Sequence, residues 1–292
     1  MTQRISARKH FATEHDFCNV RIQNLISDYP PHSHDYIEIV VVLAGHVEHY
    51  INKKTYSVSS GDVYVLQGQQ EHGFQKPTKD FRIINVMYRP EIFNFPLDKL
   101  RTMPGYQALF VLEPAKRSDS EFRSLLRLDS ARLKEVLEKV QRLQHEMKMR
   151  SPGFDCICQA YLLELIVFLS RLYSKSSESS TSDLLRFSEA VAWMEENYAK
   201  HLTVPALARR AAMSNRHFFR IFKKIFHIPP LEHIIQLRIR HAAELLESRS
   251  NNITETAFKC GFSDGNYFSK QFRRIMGVSP RQYRKATDKK TV

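Results

Sequence analysis

The sequence predicts an α+β multidomain protein: an N-terminal β-barrel followed by a helical pair, then an all-α C-terminal domain built from two helix-turn-helix units. Three observations carry this prediction. Short β-branched runs separated by turn residues fill residues 20 to 90. The hydrophobic period changes from strand to helix spacing at Asp129. After Asp183 one supersecondary pattern occurs twice.

The strands come first. Residues 37–43 (IEIVVVL) are rich in β-branched side chains and stop at Ala44-Gly45. Residues 47–51 and 55–58 follow, separated by Asn52-Lys53-Lys54, and residues 62–66 follow Gly61. Residues 81–88 alternate less cleanly, and residues 91–129 show no clear period. Several short strands with turn signals between them predict a sandwich or small barrel, here assigned to 1–128.

From Asp129, Leu133, Val136, Val140, Leu143 and Met147 repeat at helical spacing, with Glu135–Lys139 and Glu138–Arg142 placed for i,i+4 pairing. Ser151-Pro152-Gly153 stops that helix. A second, from about Phe154 to Tyr173, is apolar on most of its circumference and is expected to be buried on several sides. The pair, 129–173, is a candidate dimerisation element, equally a cover for the barrel, and the two roles are compatible. Ser174 to Ser182 (SKSSESSTS) is polar throughout and reads as a linker.

The remaining segment, 183–292, is helical by period. A first helix covers about Leu184 to Ala199. A second starts at Thr203, an N-cap candidate, with Pro205 in its first turn. A turn at Met213-Ser214 leads to a third, Asn215 to Phe226, in which Phe218, Ile221, Phe222 and Ile225 form one apolar stripe. The pattern recurs. Phe218 to Ile225 aligns with Phe268 to Ile275 at an offset of 50, while Val204, Ala208, Ala212 and Ser214 align with Ile253, Ala257, Gly261 and Ser263 at 49. One extra residue in the second turn accounts for the difference. A helix from about Leu231 to Glu247, with Ile235, Ile239, Ala242 and Leu246 inward, joins the copies.

Charge is distributed along the same lines. The net charge is +13, from 44 Lys plus Arg against 31 Asp plus Glu. Residues 183–292 hold 20 of the former and 10 of the latter, so +10 lies there and only +3 in the rest. A basic excess confined to a helix-turn-helix segment predicts a nucleic-acid partner. Major-groove geometry then assigns roles. The exposed stripe of the first copy is Asn215, Arg216, Phe219, Arg220 and Lys223. Arg216 and Arg220, one turn apart, suit the O6 and N7 of guanine. In the second copy the stripe is Gly265, Asn266, Ser269, Lys270 and Arg273. Lys223, Lys224, Arg273, Arg274, Arg281, Arg284 and Lys285 are phosphate candidates, which position without specifying. Phe218, Phe222, Phe268 and Phe272 are core candidates; Phe219 and Tyr267 fit either side.

These residues resemble the DNA-binding domain of the AraC/XylS family of bacterial transcription regulators over 184–286. The resemblance rests on Gly261-Phe262, Tyr267-Phe268, Phe272 and the Gly277…Pro280…Tyr283-Arg284 ending, together with Leu237-Arg238…Ala242…Leu245-Leu246 in the connecting helix. Thr256 stands where Ile or Val is usual, and His227 where Gly is. The resemblance implies double-stranded promoter DNA and RNA polymerase as partners, activation more often than repression, and no catalysis.

In the N-terminal domain the notable string is Pro31-His32-Ser33-His34-Asp35-Tyr36-Ile37-Glu38. On one strand, His32, His34 and Glu38 would share a face with Tyr36 between them, and His72 on a later strand could close the set. Three His and one Glu suit Zn, Ni, Mn or Fe. The spacing resembles the first cupin motif, ending at Gly45. The second motif fits less well: Gly61 and His72 are in place, but Gln67, Gln69 and Lys76 replace Pro, Gly and Asn. The resemblance implies a sensor barrel that takes a small-molecule effector, often a sugar. Three readings of His32, His34, Tyr36, Glu38 and His72 stay open. They line an effector pocket, the preferred reading; the His and Glu bind a metal that helps hold the effector; or they form a structural cluster. A cupin-type metal enzyme or metal sensor fused to a DNA-binding domain is the competing class.

Cys18, Cys156, Cys158 and Cys260 form no disulfide or zinc-knuckle pattern and read as thiols in a reducing cytosol. The N-terminus, MTQRISARKHF, lacks the apolar stretch of a signal peptide. The longest apolar segment, Tyr161 to Leu172, is interrupted by Glu164 and Arg171 and is shorter than the roughly 20 residues a membrane span needs. The expectation is a cytoplasmic regulator, homodimeric through the Leu133–Met147 stripe, with no membrane partner.

Overall fold

The strand signals resolve into two five-stranded sheets that share one apolar interior. A computed structural model describes residues 3–5, 10–11, 13, 16–67, 70–92, 96–116, 126–175, 179–248 and 251–288. One sheet has the order β1 (Gln3–Ile5), β3 (Tyr29–His34), β8 (His72–Gln75), β5 (His46–Ile51), β6 (Lys54–Ser59). The other runs β10 (Leu126–Arg127), β7 (Asp62–Leu66), β4 (Ile37–Ala44), β9 (Arg82–Tyr88), β2 (Cys18–Asn24). All described pairings are antiparallel except β1 with β3. Both sheets contribute to the core: Val40, Val42, Tyr64, Leu66 and Ile83 from one, Val47, Ile51, Tyr56, Val58 and Phe74 from the other. Alternation of inward and outward residues places them there.

β7 departs from alternation and is buried at all five positions. The segment without a period explains why. It contains α1 (Leu97–Arg101), α2 (Pro104–Tyr106), a wider π-turn (Gln107–Leu112) and α3 (Glu113–Lys116), the last two packing on β7. Covering both faces makes a strand read as a continuous apolar run.

The helical pair is α4 (Ser130–Met149) and α5 (Phe154–Lys175). Asp129 caps α4 by accepting from Arg132 N at 2.8 Å. The α4 stripe faces α5 and β2, and Val136, Val140 and Leu143 are no more than 1% exposed. The expected dimer seam is therefore consumed inside the chain, and the barrel-covering role is the one the packing uses. At 22 residues α5 is long enough to cross a membrane, contrary to the shorter apolar segment read from the sequence. Its Glu164 ion-pairs with both Lys139 and Arg142 of α4, and Leu162, Leu165, Ile166 and Leu169 are buried, as in a core helix.

The expected Ser-rich linker is mostly helix. α5 runs through Lys175 and α6 (Ser179–Glu196) begins four residues later; 176–178 lie outside the described residues, as does Gln69. Ser, Thr and Asp are at home at helix N-termini, so a polar run there need not be coil. The chain divides into two compact units, Met1–Ser188 and Glu189–Val292, the boundary falling within α6 rather than at Ser182.

The second unit holds α7 (Val204–Arg210), α8 (Asn215–Phe226), α9 (Pro230–Glu247), α10 (Ile253–Lys259), α11 (Gly265–Met276) and α12 (Pro280–Asp288). Thr203 and Asn252 cap α7 and α10, the latter in a full capping box with Glu255. Thr256, in place of the usual aliphatic residue, is fully buried, and its hydroxyl donates to Asn252 O at 2.8 Å. α9 supplies Ile239, Ala242, Ala243 and Leu246 to a core closed by Ala257, Phe262, Phe268 and Phe272. On its other side Phe222 of α8 meets His233 of α9 edge-on at 5.3 Å.

Candidate DNA interface and ligand pocket

The two helix-turn-helix units superpose in hydrogen bonding as well as sequence. Met213 N donates to Ala208 O at 2.9 Å, and Phe262 N to Ala257 O at 3.0 Å. The residue before each is left-handed, Ala212 at φ 53° and Gly261 at φ 84°. The recognition helices are then capped by Ser214 and Asp264, which accept from His217 N and Tyr267 N. Ser263 is therefore the inserted residue, and Asp264, not Ser263, is the counterpart of Ser214.

On α8, Asn215, Arg216, Arg220, Lys223 and Lys224 are exposed, and Arg220 Nη2 lies 3.2 Å from His217 Nδ1. Phe219 is 40% exposed and Tyr267 46%, which settles the side each takes. On α11, Asn266, Lys270 and Arg273 are exposed and Ser269 is half-buried. Arg274 is committed elsewhere: it donates to Glu232 of α9 at 2.6 Å and to Gln271 at 2.8 Å. Of the later phosphate candidates, Arg281 and Lys285 are exposed, and Arg284 donates to Asn251 O. Phe218, Phe222, Phe268 and Phe272 are fully buried, as expected.

The barrel residues converge by a different route from the one expected. His32 and His34 end β3 in one sheet, and Glu38 lies in β4 of the other. The chain crosses between sheets at Asp35-Tyr36, so shared strand alternation does not align them; the facing of two sheets does. Register completes the set, placing His32 opposite His72 and Glu38 opposite Met87. His34 Nε2 is 3.4 Å and His72 Nε2 3.5 Å from Glu38 Oε2. The donor atoms of His34, Glu38 and His72 all lie within 4.8 Å of one another, all three residues being buried. His32 stands beside this group, its ring centroid 4.2 Å from that of His72, but is not part of it. Tyr36 stacks flat on His34 at 4.0 Å.

Each imidazole is oriented by its other nitrogen. Nδ1–H donates to Tyr36 O from His34 (2.8 Å), to Gln70 O from His72 (3.0 Å) and to Pro30 O from His32 (3.1 Å). A carbonyl can only accept, so in the neutral ring Nε2 carries the lone pair. This is how second-shell carbonyls orient metal-binding histidines. Burial alone would raise the Glu38 carboxyl, but hydrogen bonds from the His34 and His72 rings, made when Nε2 also carries a proton, hold it well below the usual carboxylate range. Burial and the neighbouring His72 push His32 down to about 4, leaving that ring neutral near pH 7. The donor set fits a divalent transition metal.

A cavity of about 30 Å³ opens beside this group, lined by His32, Glu38 and His72 and also by Arg21, Tyr29 and Asn85. Sequence reasoning missed Arg21, Tyr29 and Asn85, and also His49, which is fully buried and stacks on Phe74 at 4.8 Å. The His49 signal was available, since it alternates with Val47 and Ile51 on a recognised strand.

Two family models match the chain, an AraC-like ligand binding domain over residues 24–151 and a helix-turn-helix domain over 207–286. The chain belongs to the AraC family. It is a DNA-binding transcription regulator with a cupin-like ligand-binding domain. Its similarity to the HTH-type transcriptional activator RhaS of Escherichia fergusonii is 29% identity over 260 residues, covering 89% of each chain. RhaS of Salmonella arizonae is 29% identical over 265 residues, again covering 89% of each. Among solved structures, the DNA-binding domain of AdpA, a global transcriptional factor in complex with a target DNA, is 38% identical, covering 35% of this AraC-family chain and 91% of that one, with a TM-score of 0.34. ToxT of Vibrio cholerae O395 covers 92% of the chain at 16% identity and a TM-score of 0.35.

Proposed function

We propose that this protein is a ligand-responsive, sequence-specific transcriptional activator of genes for small-molecule metabolism. The observation that carries this is the pairing, on one chain, of two exposed basic recognition helices with a polar cavity buried in a β-barrel. α8 reads bases through Arg216 and Arg220, α11 through Asn266 and Lys270, and Lys223, Lys224 and Arg273 sit on phosphates. Effector binding in the barrel shifts the balance between arrangements that differ in DNA affinity, which requires different effector affinity in each. The similarity to RhaS supports activation, hence RNA polymerase as partner, in the cytoplasm. It also favours a regulator over an enzyme. A homodimer would need a surface other than Val136, Val140 and Leu143, the part of the Leu133–Met147 stripe that is buried within the chain.

A second reading concerns the cluster of His34, Glu38 and His72. Its donor atoms all lie within 4.8 Å of one another, which supports a Zn, Ni, Mn or Fe ion held by these three residues. Such an ion would supply a Lewis-acidic centre for an effector oxygen.

The test is a mobility shift at fixed salt on DNA upstream of the protein's own gene and its neighbours, with unrelated DNA as competitor. Selective binding that Arg216→Ala plus Arg220→Ala relaxes is the expected result. Equal affinity for all DNA, or none, would overturn the reading.

A further inference from the structure

The barrel cavity is lined by a second polar group besides the histidines. β2 and β9 pair so that Arg21 stands directly opposite Asn85, with Val40 of β4 on the far side of Asn85. Val40 points into the core, so this row faces inward, and Arg21 and Asn85 both line the cavity. Arg21 is half-buried and has no hydrogen bond or ion pair among the described residues. Asn85 Oδ1 is buried and accepts no hydrogen bond. An unsatisfied buried acceptor beside a cation without a counter-ion is destabilising, and such groups call for a partner. Glu38 lines the same cavity, paired with Met87 and so diagonal to Asn85, with its carboxylate on the His34 and His72 side. Like charge repels an anionic ligand group from Glu38, and the Arg21 guanidinium attracts it. Asn85 Oδ1, next to Arg21, requires a donor adjacent to that anion.

We propose that the effector is a compact hydroxy acid, its carboxylate on the Arg21 guanidinium and its hydroxyl donating to Asn85 Oδ1. A guanidinium holds a carboxylate through two parallel hydrogen bonds, which a neutral polyol cannot match. The space as it stands, about 30 Å³, is that of roughly one or two waters, so even a compact acid enters only as lining side chains move, and a long chain is disfavoured further. This rests on the reading of the barrel as a sensor and replaces a neutral sugar by an acid.

The experiment is calorimetric titration and thermal melting of the full chain with glycolate, L-lactate and D-glycerate, against glycerol, propane-1,2-diol and L-alanine. At least one hydroxy acid should bind and raise Tm, its neutral counterpart at least tenfold more weakly. Arg21→Gln should lose roughly tenfold or more in acid affinity, with partial rescue by Arg21→Lys. Failure of all three acids at ~10 mM overturns the proposal. So does a diol that binds as tightly as its acid, acid binding that Arg21→Gln leaves unchanged, or L-alanine binding in place of the acids. In the diol and alanine cases the sensor reading survives. That reading fails separately, if a bound acid leaves the affinity for promoter DNA unaltered in the mobility shift.

Discussion

His34 Nε2 and Glu38 Oε2 lie 3.4 Å apart, joined across the seam between two sheets although only four residues separate them in sequence. With Nδ1–H of His34 already given to Tyr36 O, a neutral ring presents a lone pair to the carboxylate, and the pair is favourable only with a cation between or a second proton on the ring. Adding Zn²⁺ or Ni²⁺ to chelator-treated protein should raise stability by about 2.7 kcal/mol at a hundredfold excess over Kd. His34→Ala plus His72→Ala should abolish the gain, and His32→Ala should retain most of it. Differential scanning calorimetry with metal analysis decides. Equal loss in His32→Ala would restore the four-ligand set, and no gain in the wild type would remove the metal.

The basic residues of the recognition helices should separate into two classes. Arg216→Ala is expected to cost about 1–3 kcal/mol on the cognate site and to relax preference at one base position. Lys223→Ala should weaken all sequences alike and reduce the salt slope by about 1. Arg274→Ala should do less than Arg273→Ala, because Arg274 is bonded to Glu232. Fluorescence anisotropy across a salt series on cognate and scrambled duplexes separates these outcomes. A Lys223→Ala variant that changes base preference would reverse the assignment.

The helical half of this design was legible because a repeat states itself twice. The offset between the copies located the inserted residue to within one position, and helical stripes separated Phe218 and Phe222 from Arg216 and Arg220. The barrel site was legible only in its residue types. His32, His34 and Glu38 were read as one strand, since nothing local marks Asp35-Tyr36 as a crossing between sheets. Arg21 and Asn85 were invisible because cross-strand register depends on partners some sixty residues away, and neither residue is unusual in its own strand. The α4 stripe showed which face is apolar, but periodicity does not say whether the covering surface belongs to the same chain.

Left-handed backbone positions provide a stability test of the repeat. His227 ends α8 at φ 62°, where the second copy has Gly277 at φ 78°. A side chain there costs about 1–2 kcal/mol, partly offset by the greater freedom glycine has when unfolded. His227→Gly should therefore stabilise by about 1 kcal/mol, and Gly277→Ala, which meets nothing within 4 Å, should destabilise by a similar amount. Gly261→Ala should cost more than ~2 kcal/mol, because its Cβ would fall 2.3 Å from the backbone oxygen of Ala199 at φ 84°. Urea unfolding of the three variants gives the order, and a Gly261→Ala variant milder than Gly277→Ala would contradict the close approach.

The α4 stripe makes the last prediction. Leu143 is 1% exposed in the single chain, with Val136 and Val140 beside it at 0%. A seam between two chains would leave these side chains open in the isolated protomer, and they are not. Leu143→Ala should cost about 2–5 kcal/mol as a cavity mutation, visible as a lower Tm. It should leave the sedimentation coefficient at matched concentration unchanged, whatever oligomer the wild type forms. If Leu143→Ala instead dissociated a dimer with little loss of protomer stability, the stripe would have to serve a second chain and the packing of α4 on α5 and β2 would be wrong.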